Sequence, residues 1–192
     1  MSASENLSIP SRYPTEDVMR DGTSILFIPF TLAYREKLEV FIQALSPEDL
    51  LYLRQDITDR LVIDQWTDSV DRGEVFTVLA FVGTTIVGYA SLHIETAIWS
   101  RHVGEIRMNV HPDYRGTGVG AALAGEISFI APSFGIRKLT ANMTLEQHTA
   151  MLIFERLGFQ IQTILRGWVT DRNGEERDLL VMALTLMDSD QA

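Results

Sequence analysis

The 192-residue sequence predicts a mixed α/β fold, a mostly antiparallel sheet with helices on its faces. Two observations predict it. Strand-like and helix-like segments follow one another in the order β-α-α-β-β-β-α-β-α-β-β, so several consecutive strands precede a strand–helix–strand unit. A glycine-rich turn then joins one strand directly to a helix, at residues 115–120.

Residues 1–22 mix Ser, Pro, Glu and Asp with little periodicity and read as an N-terminal tail. Asp21-Gly22 makes a turn, and 24–30 is apolar and strand-like. Helical spacing runs through 32–45, with Leu38, Phe41, Ile42 and Leu45 at i, i+3, i+4 and i+7. Ser46-Pro47-Glu48-Asp49 starts another helix: a serine cap, proline at the first position, then acidic residues. A further helix covers 59–70 and ends before Arg72-Gly73. Segments 74–82 and 85–94, rich in Val, Ile, Phe and Thr, form a hairpin about Gly83-Thr84. A loop carrying Trp99 and Arg101 leads to a strand at 103–110, which should pair antiparallel with 85–94. After the glycine turn comes a helix over 118–131, stopped by Pro132-Ser133. Residues 137–143 return as a strand, and 146–157 form a helix with Gly158 as its C-cap. Strands 159–170 and 177–186 close the fold around Asp171-Arg-Asn-Gly174. The reading is thus one domain over 23–187 and a short C-terminal tail, 188–192.

Apolar residues make up 46% and charged residues 22%, which excludes a globally disordered chain. No apolar run is long enough to span a bilayer, and the first residues carry no secretory pattern. Cysteine is absent, which excludes disulfides, thiolate metal sites and a cysteine nucleophile. These features together lead us to expect a cytoplasmic protein with no membrane contact. The formal charge of −10 disfavours nucleic-acid binding. It suits either a cationic partner or plain solubility.

The glycine turn carries the chemistry. A strand ends at Val110, Pro112 interrupts pairing, and Gly116, Gly118 and Gly120 lead into a helix whose buried face holds Val119, Leu123, Ile127 and Ile130. The first N–H groups of a helix lack intrahelical partners and sit at the positive end of its dipole, so they bind anions. Arg115 at the lip adds a charge suited to phosphate oxygens. A purely structural tight turn would show the same glycines. A P-loop would need Gly-Lys-Ser/Thr, where this chain has Gly-Ala-Ala, and a dinucleotide fingerprint would follow the first strand of its unit.

Arg115-x-x-Gly118-x-Gly120, preceded by Val-His-Pro-Asp-Tyr, resembles the acetyl-CoA motif of the GNAT (Gcn5-related) N-acetyltransferase superfamily. Downstream, the helix ending Phe154-Glu-Arg-Leu-Gly-Phe159 is similar to that family's Tyr-Glu-Lys-Leu-Gly-Phe. Asp21-Gly-Thr, Pro29 and Leu45-Ser-Pro-Glu resemble the opening of bacterial protein-lysine acetyltransferases. The general likeness spans roughly residues 23–187. It implies the GNAT fold, with a V-shaped splay between central strands, and acetyl-CoA as co-substrate without a metal. It implies that backbone groups of Met108, Asn109 and Val110 meet the pantetheine arm, with the Val110 N–H on the thioester oxygen. By the same likeness Arg115, Gly116, Thr117, Gly118, Val119, Gly120 and Ala121 hold the pyrophosphate, and Asn142 and Phe154 border the cofactor. The acceptor implied is a primary amine, on a protein lysine or a small cationic molecule.

An amine of pKa about 10.4 is protonated at neutral pH and needs a base. Glu105 matches the position of the strand glutamate that serves as base in lysine-acetylating relatives. Period two puts Glu105, Arg107 and Asn109 on one strand face, which is also what an ordinary exposed polar face would show. His93 and Glu95 are the reserve candidates; His111 and His148 are weaker. Phe154 stands where relatives carry a tyrosine acid, so no residue is assigned that role. A thiol of pKa about 8.5 leaves without strong assistance. No histidine pair or cluster has metal-ligand spacing. Helices within 32–70 and the 96–101 loop should line the acceptor site, and the closing hairpin offers an edge for a homodimer. The competing readings are an acyl-CoA-binding module without catalysis and a structural domain with an unrelated turn.

Overall fold

The computed structural model describes residues 10–186. The tail expected at 188–192, and residues 1–9 of the N-terminal one, lie outside them.

Eight strands form one sheet in the order β1-β2-β3-β4-β5-β6-β8-β7. They are β1 (Thr15–Val18), β2 (Ser24–Pro29), β3 (Val75–Val82), β4 (Thr85–Ile94), β5 (Val103–Val110), β6 (Lys138–Thr144), β7 (Gln160–Thr170) and β8 (Glu176–Thr185). Every neighbouring pair is antiparallel except β5 and β6. The helices are α1 (Arg35–Gln43), α2 (Pro47–Leu51), α3 (Arg60–Asp71), α4 (Val119–Ile130) and α5 (His148–Arg156).

The predicted elements are all present, with two adjustments. Residues 32–34 form a separate 3₁₀ turn before α1, and α5 begins at His148 rather than 146. One strand has no counterpart in the sequence reading. β1 lies within the segment read as a tail and pairs antiparallel with β2 through the Asp21-Gly22 turn. Its sequence, Thr-Glu-Asp-Val, is exposed along most of its length, so it carries none of the apolar alternation by which a strand is recognised. Just before it, Arg12 and Tyr13 both donate to the Glu126 carboxylate on α4, and the Arg12 guanidinium lies 4.2 Å from the Phe129 ring centroid. The segment from residue 10 is therefore part of the folded body.

Helices cover both faces, because β3 and β4 are apolar at nearly every position rather than at alternate ones. On one face Val78, Ala80, Val87, Ala90 and Leu92 meet Leu123, Ala124 and Ile127 of α4. On the other, Leu79, Phe81, Ile86 and Tyr89 meet Leu38, Phe41 and Ile42 of α1 and Ile63 of α3. Each cluster buries side chains of the size that contributes about 1.5–3 kcal/mol apiece. Together they pack β3 and β4 from both sides, and β4 holds β5 beside it as the floor of the site.

Candidate active site

The parallel pair β5–β6 is joined only at Val103–Lys138, Gly104–Leu139 and Glu105–Thr140. Beyond Glu105 the strands part: β5 stays with β4 as far as Val110, and β6 with β8 as far as Thr144. This is the expected V-shaped splay. The His111 N–H donates to the Val87 carbonyl (2.8 Å). By strand alternation the peptide groups of Asn109 turn the same way, toward β4, while those of Met108 and Val110 face the gap. Of the three residues expected to meet the pantetheine arm, Met108 and Val110 thus turn their peptide groups into the gap. The Asn109 side chain donates from Nδ2 to the Tyr89 hydroxyl (2.9 Å).

Past β5 the chain makes a tight passage into α4. The His111 ring accepts the Asp113 N–H at Nδ1 (3.2 Å), and the Thr117 hydroxyl donates to the Tyr114 carbonyl (2.6 Å). Gly118 caps α4 at φ 108°, where a side chain would be strained. Among the described residues, no protein acceptor takes the backbone N–H groups of residues 116–121. They line up at the positive end of α4, whose first turn has no acidic residue. Val119 and Gly120 are both buried, so the Val119 side chain packs inward rather than toward this row. A Cβ on Gly120 would stand 3.1 Å from Ile153 Cδ1, so this glycine serves the packing of α4 on α5.

Arg115 turns away from this row of donors. Its guanidinium pairs with Asp49 and reaches the Val110 carbonyl at 3.4 Å. Asp49 belongs to a capping box, accepting from the Ser46 N–H (2.8 Å) and Oγ (2.8 Å) at the start of α2. That contact is one of several that tie down residues 46–59. Arg54 pairs with Glu105, Asp56 pairs with Arg172 of the β7–β8 turn, and the Arg172 N–H donates to the Leu51 carbonyl (3.1 Å). The segment is thereby strapped across the open edge of the gap.

Under the strap lies a cleft of about 510 Å³. Met108, Ala141, Met143, Ala150 and Phe154 line the end toward the gap; Arg54, Trp66, Tyr89, His93, Glu105 and Arg107 line the other. Register puts His93 directly opposite Glu105. Glu105 is held on three sides. Arg54 Nη1 donates to both its oxygens, Arg107 donates to Oε2 from Nε (3.1 Å) and Nη2 (2.6 Å), and Asn142 Nδ2 donates to Oε1 (2.9 Å). Burial raises its pKa, but the Arg107 hydrogen bond and the charges of Arg107 and Arg54 outweigh this and hold it below the ordinary value. Burial first, then Arg107, push His93 down to about 4 against the opposing pull of Glu105, so its ring is neutral at pH 7. Burial pushes Tyr89 up to about 12, keeping its hydroxyl protonated.

The residues present fit an acyl-CoA. Because a carboxylate only accepts, the bond from Asn142 Nδ2 fixes the amide with Oδ1 away from Glu105. That buried Oδ1 has no partner, nor has Thr144 Oγ1 further along β6. Asn142 lines the cleft, where an extended ligand with an amide N–H group would satisfy that oxygen. The donors of residues 116–121 face the place its phosphates would occupy. Among the described residues no group of His, Cys, Asp and Glu could hold a metal ion.

Other candidates fall outside the cleft. Glu95 follows the end of β4 and does not line it. His148 Nδ1 lies 3.0 Å from the Glu146 carbonyl, and His111 caps the turn. The 96–101 loop, expected to line the acceptor site, lines no part of this cleft, and its Trp99 is 88% exposed. Of the 32–70 region, α3 and the 46–59 strap line the cleft while α1 supports the floor from beneath. The sequence did not single out Arg54, Asp49 or the bond from Asn142 to Glu105. All are side-chain contacts between elements distant in sequence, which no local spacing encodes.

A mixed sheet split between β5 and β6, with a main-chain anion site at the helix below the split, is the architecture of the GNAT fold. The chain belongs to the acetyltransferase (GNAT) family, whose model matches residues 39–159, more than half of its length. It is similar to an uncharacterised N-acetyltransferase of Methanocaldococcus jannaschii, 34% identical over 38% of this chain and 32% of that protein. The chain thus matches about a third of the length of that curated relative. Among solved structures, the GNAT domain of PAT from S. lividans superposes with a TM-score of 0.76 at 20% identity, covering 93% of this chain and 100% of that one. A Salmonella typhimurium protein assigned as an acetyltransferase, solved with its cofactor acetyl-CoA, gives 0.68 at 19% identity over 84% of this chain and 95% of that one.

Proposed function

We propose that the protein transfers an acetyl group from acetyl-CoA to a primary amine, by direct attack within a ternary complex. The observation that carries this reading is the split sheet, with the peptide groups of Met108 and Val110 turned into the gap above the unclaimed N–H groups of residues 116–121. The thioester carbonyl lies against the Val110 N–H, which stabilises the developing oxyanion. The amine nitrogen bonds to that carbonyl carbon, Glu105 takes the proton the nitrogen sheds, and the C–S bond breaks to release the thiolate. The buried Phe154 ring has no proton to give, and a low-pKa thiolate needs none.

The acceptor is an amine on a small molecule or on a protein. The motifs near Asp21 and Leu45 favour a protein lysine as a second reading. The absence of a tyrosine at Phe154 favours, as a rival, a module that binds acyl-CoA without turnover. Strand β7 forms the outer edge of the sheet with Ile161, Ile164 and Trp168 exposed, and it is the edge by which we place a homodimer contact.

Isothermal titration with acetyl-CoA, followed by thiol release in the presence of pooled amines and basic peptides, tests the reading. We expect binding and amine-dependent release. Binding without release from any amine leaves only the module, and no binding removes both.

A further inference from the structure

The chemistry at the far end of the cleft runs against the charge of the whole. The chain carries a net charge of −10, yet two guanidiniums converge on one buried carboxylate there. His93, across from them, is neutral. The other charged groups lining the cleft are Asp49, paired with Arg115, Asp68 of α3, and Arg72 just past that helix, engaged by Glu74 (2.8 Å) and Ser69 (3.1 Å). Arg54 and Arg107 are not exhausted by Glu105. A guanidinium has five N–H bonds in a planar fork; Arg54 uses only Nη1, and Nη1 of Arg107 makes no bond among the described residues. Arg54 is 56% exposed and hangs from the 46–59 strap, whereas Glu105 is 14% exposed. Of the two partners the arginine is the one free to turn.

The Arg54–Glu105 pair therefore presents one positive and one negative group side by side at the cleft wall. A ligand of complementary pattern has an ammonium next to a carboxylate. Inserted between them, it replaces one ion pair by two and adds no net charge to the cleft. A lysine side chain brings a cation alone. It would either be repelled by Arg54 and Arg107 or take Glu105 and strand Arg54 without a counter-ion. The strap also restricts the entrance, and the apolar wall of Ile57, Val62 and Trp66 suits a small organic body.

We infer that the acceptor is a small amine carrying a carboxylate beside the nitrogen, an amino acid or close analogue, whose carboxylate is received by Arg54 and Arg107 while its nitrogen faces Glu105. This rests on the acetyl-transfer reading above. The carboxylate draws Arg54 off Glu105, so recognition and readying of the base become one event. Glu105, left with Arg107 and Asn142, is then a better proton acceptor for the ammonium, and the carboxylate itself is unchanged by the reaction.

The test uses matched acceptors with the full chain and acetyl-CoA: free amino acids with apolar side chains, their amides, the corresponding decarboxylated amines, and lysine peptides blocked at both ends. We expect kcat/KM for the amino acids to exceed that for the amides by about 10- to 100-fold, the loss expected for a charge-assisted contact. Arg54→Gln should collapse that ratio toward one, and Arg54→Lys should restore part of it. Amides or blocked lysine peptides used as well as free amino acids would overturn the acceptor assignment and leave acetyl transfer standing. So would a ratio unmoved by Arg54→Gln. Acetyl-CoA binding with no acceptor acetylated in any class would overturn both.

Discussion

The two ends of the cleft are built from different materials. Toward the gap, the contacts offered are main-chain: N–H groups of residues 116–121 and peptide groups of Met108 and Val110. Their positions follow from where a strand ends and a helix begins. At the other end Arg54, His93, Glu105, Arg107 and Asn142 come from the strap and three strands, and what they offer is charge. A main-chain site keeps its shape as long as the turn does, and it leaves a local mark in the sequence. A side-chain site can be redirected by single substitutions and leaves none. The donor end is thus the constant part of the molecule and the acceptor end its adjustable part.

Substitutions at each end should separate these behaviours. The largest effect is expected at the charged end, where Glu105→Gln should lower turnover by about 10²–10⁴ with little change in acetyl-CoA affinity. Single-turnover rates and titration calorimetry on the same sample would show whether the two quantities part company. Next, Gly118→Val should do the converse, because a β-branched residue cannot hold φ 108° without disturbing the start of α4. An affinity loss of about 100-fold for acetyl-CoA is anticipated, and an unaltered Kd would show that the turn does not hold the phosphates.

A smaller effect concerns stability. The native-state pKa of His93 is depressed to about 4, below the ~6.5 of an unfolded histidine. Between those values the unfolded chain binds a proton that the native chain refuses, so stability falls as pH drops from about 6.5 toward 4, by at most roughly 3 kcal/mol. The depressed Glu105 carboxyl acts in a lower window. Its contribution is present above the ordinary glutamate pKa of about 4.3 and is lost as pH falls through its native value. Urea titrations at pH 7 and pH 5 should show the loss in the parent and much less of it in His93→Asn. The smallest change is expected from Asp49→Asn. Weakening the hold on Arg115 should tighten acetyl-CoA severalfold at low salt, an advantage that disappears as salt screens the pair. Looser binding in that variant would mean the Asp49–Arg115 pair assists the site.

The same contrast explains how much was legible beforehand. The helix at α1 followed from its apolar spacing, and the strands β3 and β4 from their content of Val, Ile, Phe and Thr, because burial on one stripe or on two faces dictates which residues are apolar. The antiparallel pairing of residues 85–94 with 103–110 followed from their proximity in the chain. Its register did not, yet register is what sets His93 beside Glu105. β1 escaped because an exposed edge strand needs no apolar pattern. Glu105 was singled out by its likeness to the strand glutamate of lysine-acetylating relatives, with its place two residues from Arg107 on one strand face as support. The reach of Arg54 across 51 residues, and of Arg115 to Asp49 across 66, was not, since such pairs are fixed only once tertiary packing exists.

The parting of β5 from β6 has a consequence for the shape of any occupant. Two strands that diverge leave facing rows of peptide groups without neighbours, and those rows pair only with something flat, extended and alternating in donors and acceptors. The space is in effect a vacant strand position in the middle of the sheet. Whatever lies there becomes, for the duration of its stay, a piece of secondary structure. Its length and spacing are dictated by the same 3.2–3.4 Å repeat that governs the chain around it.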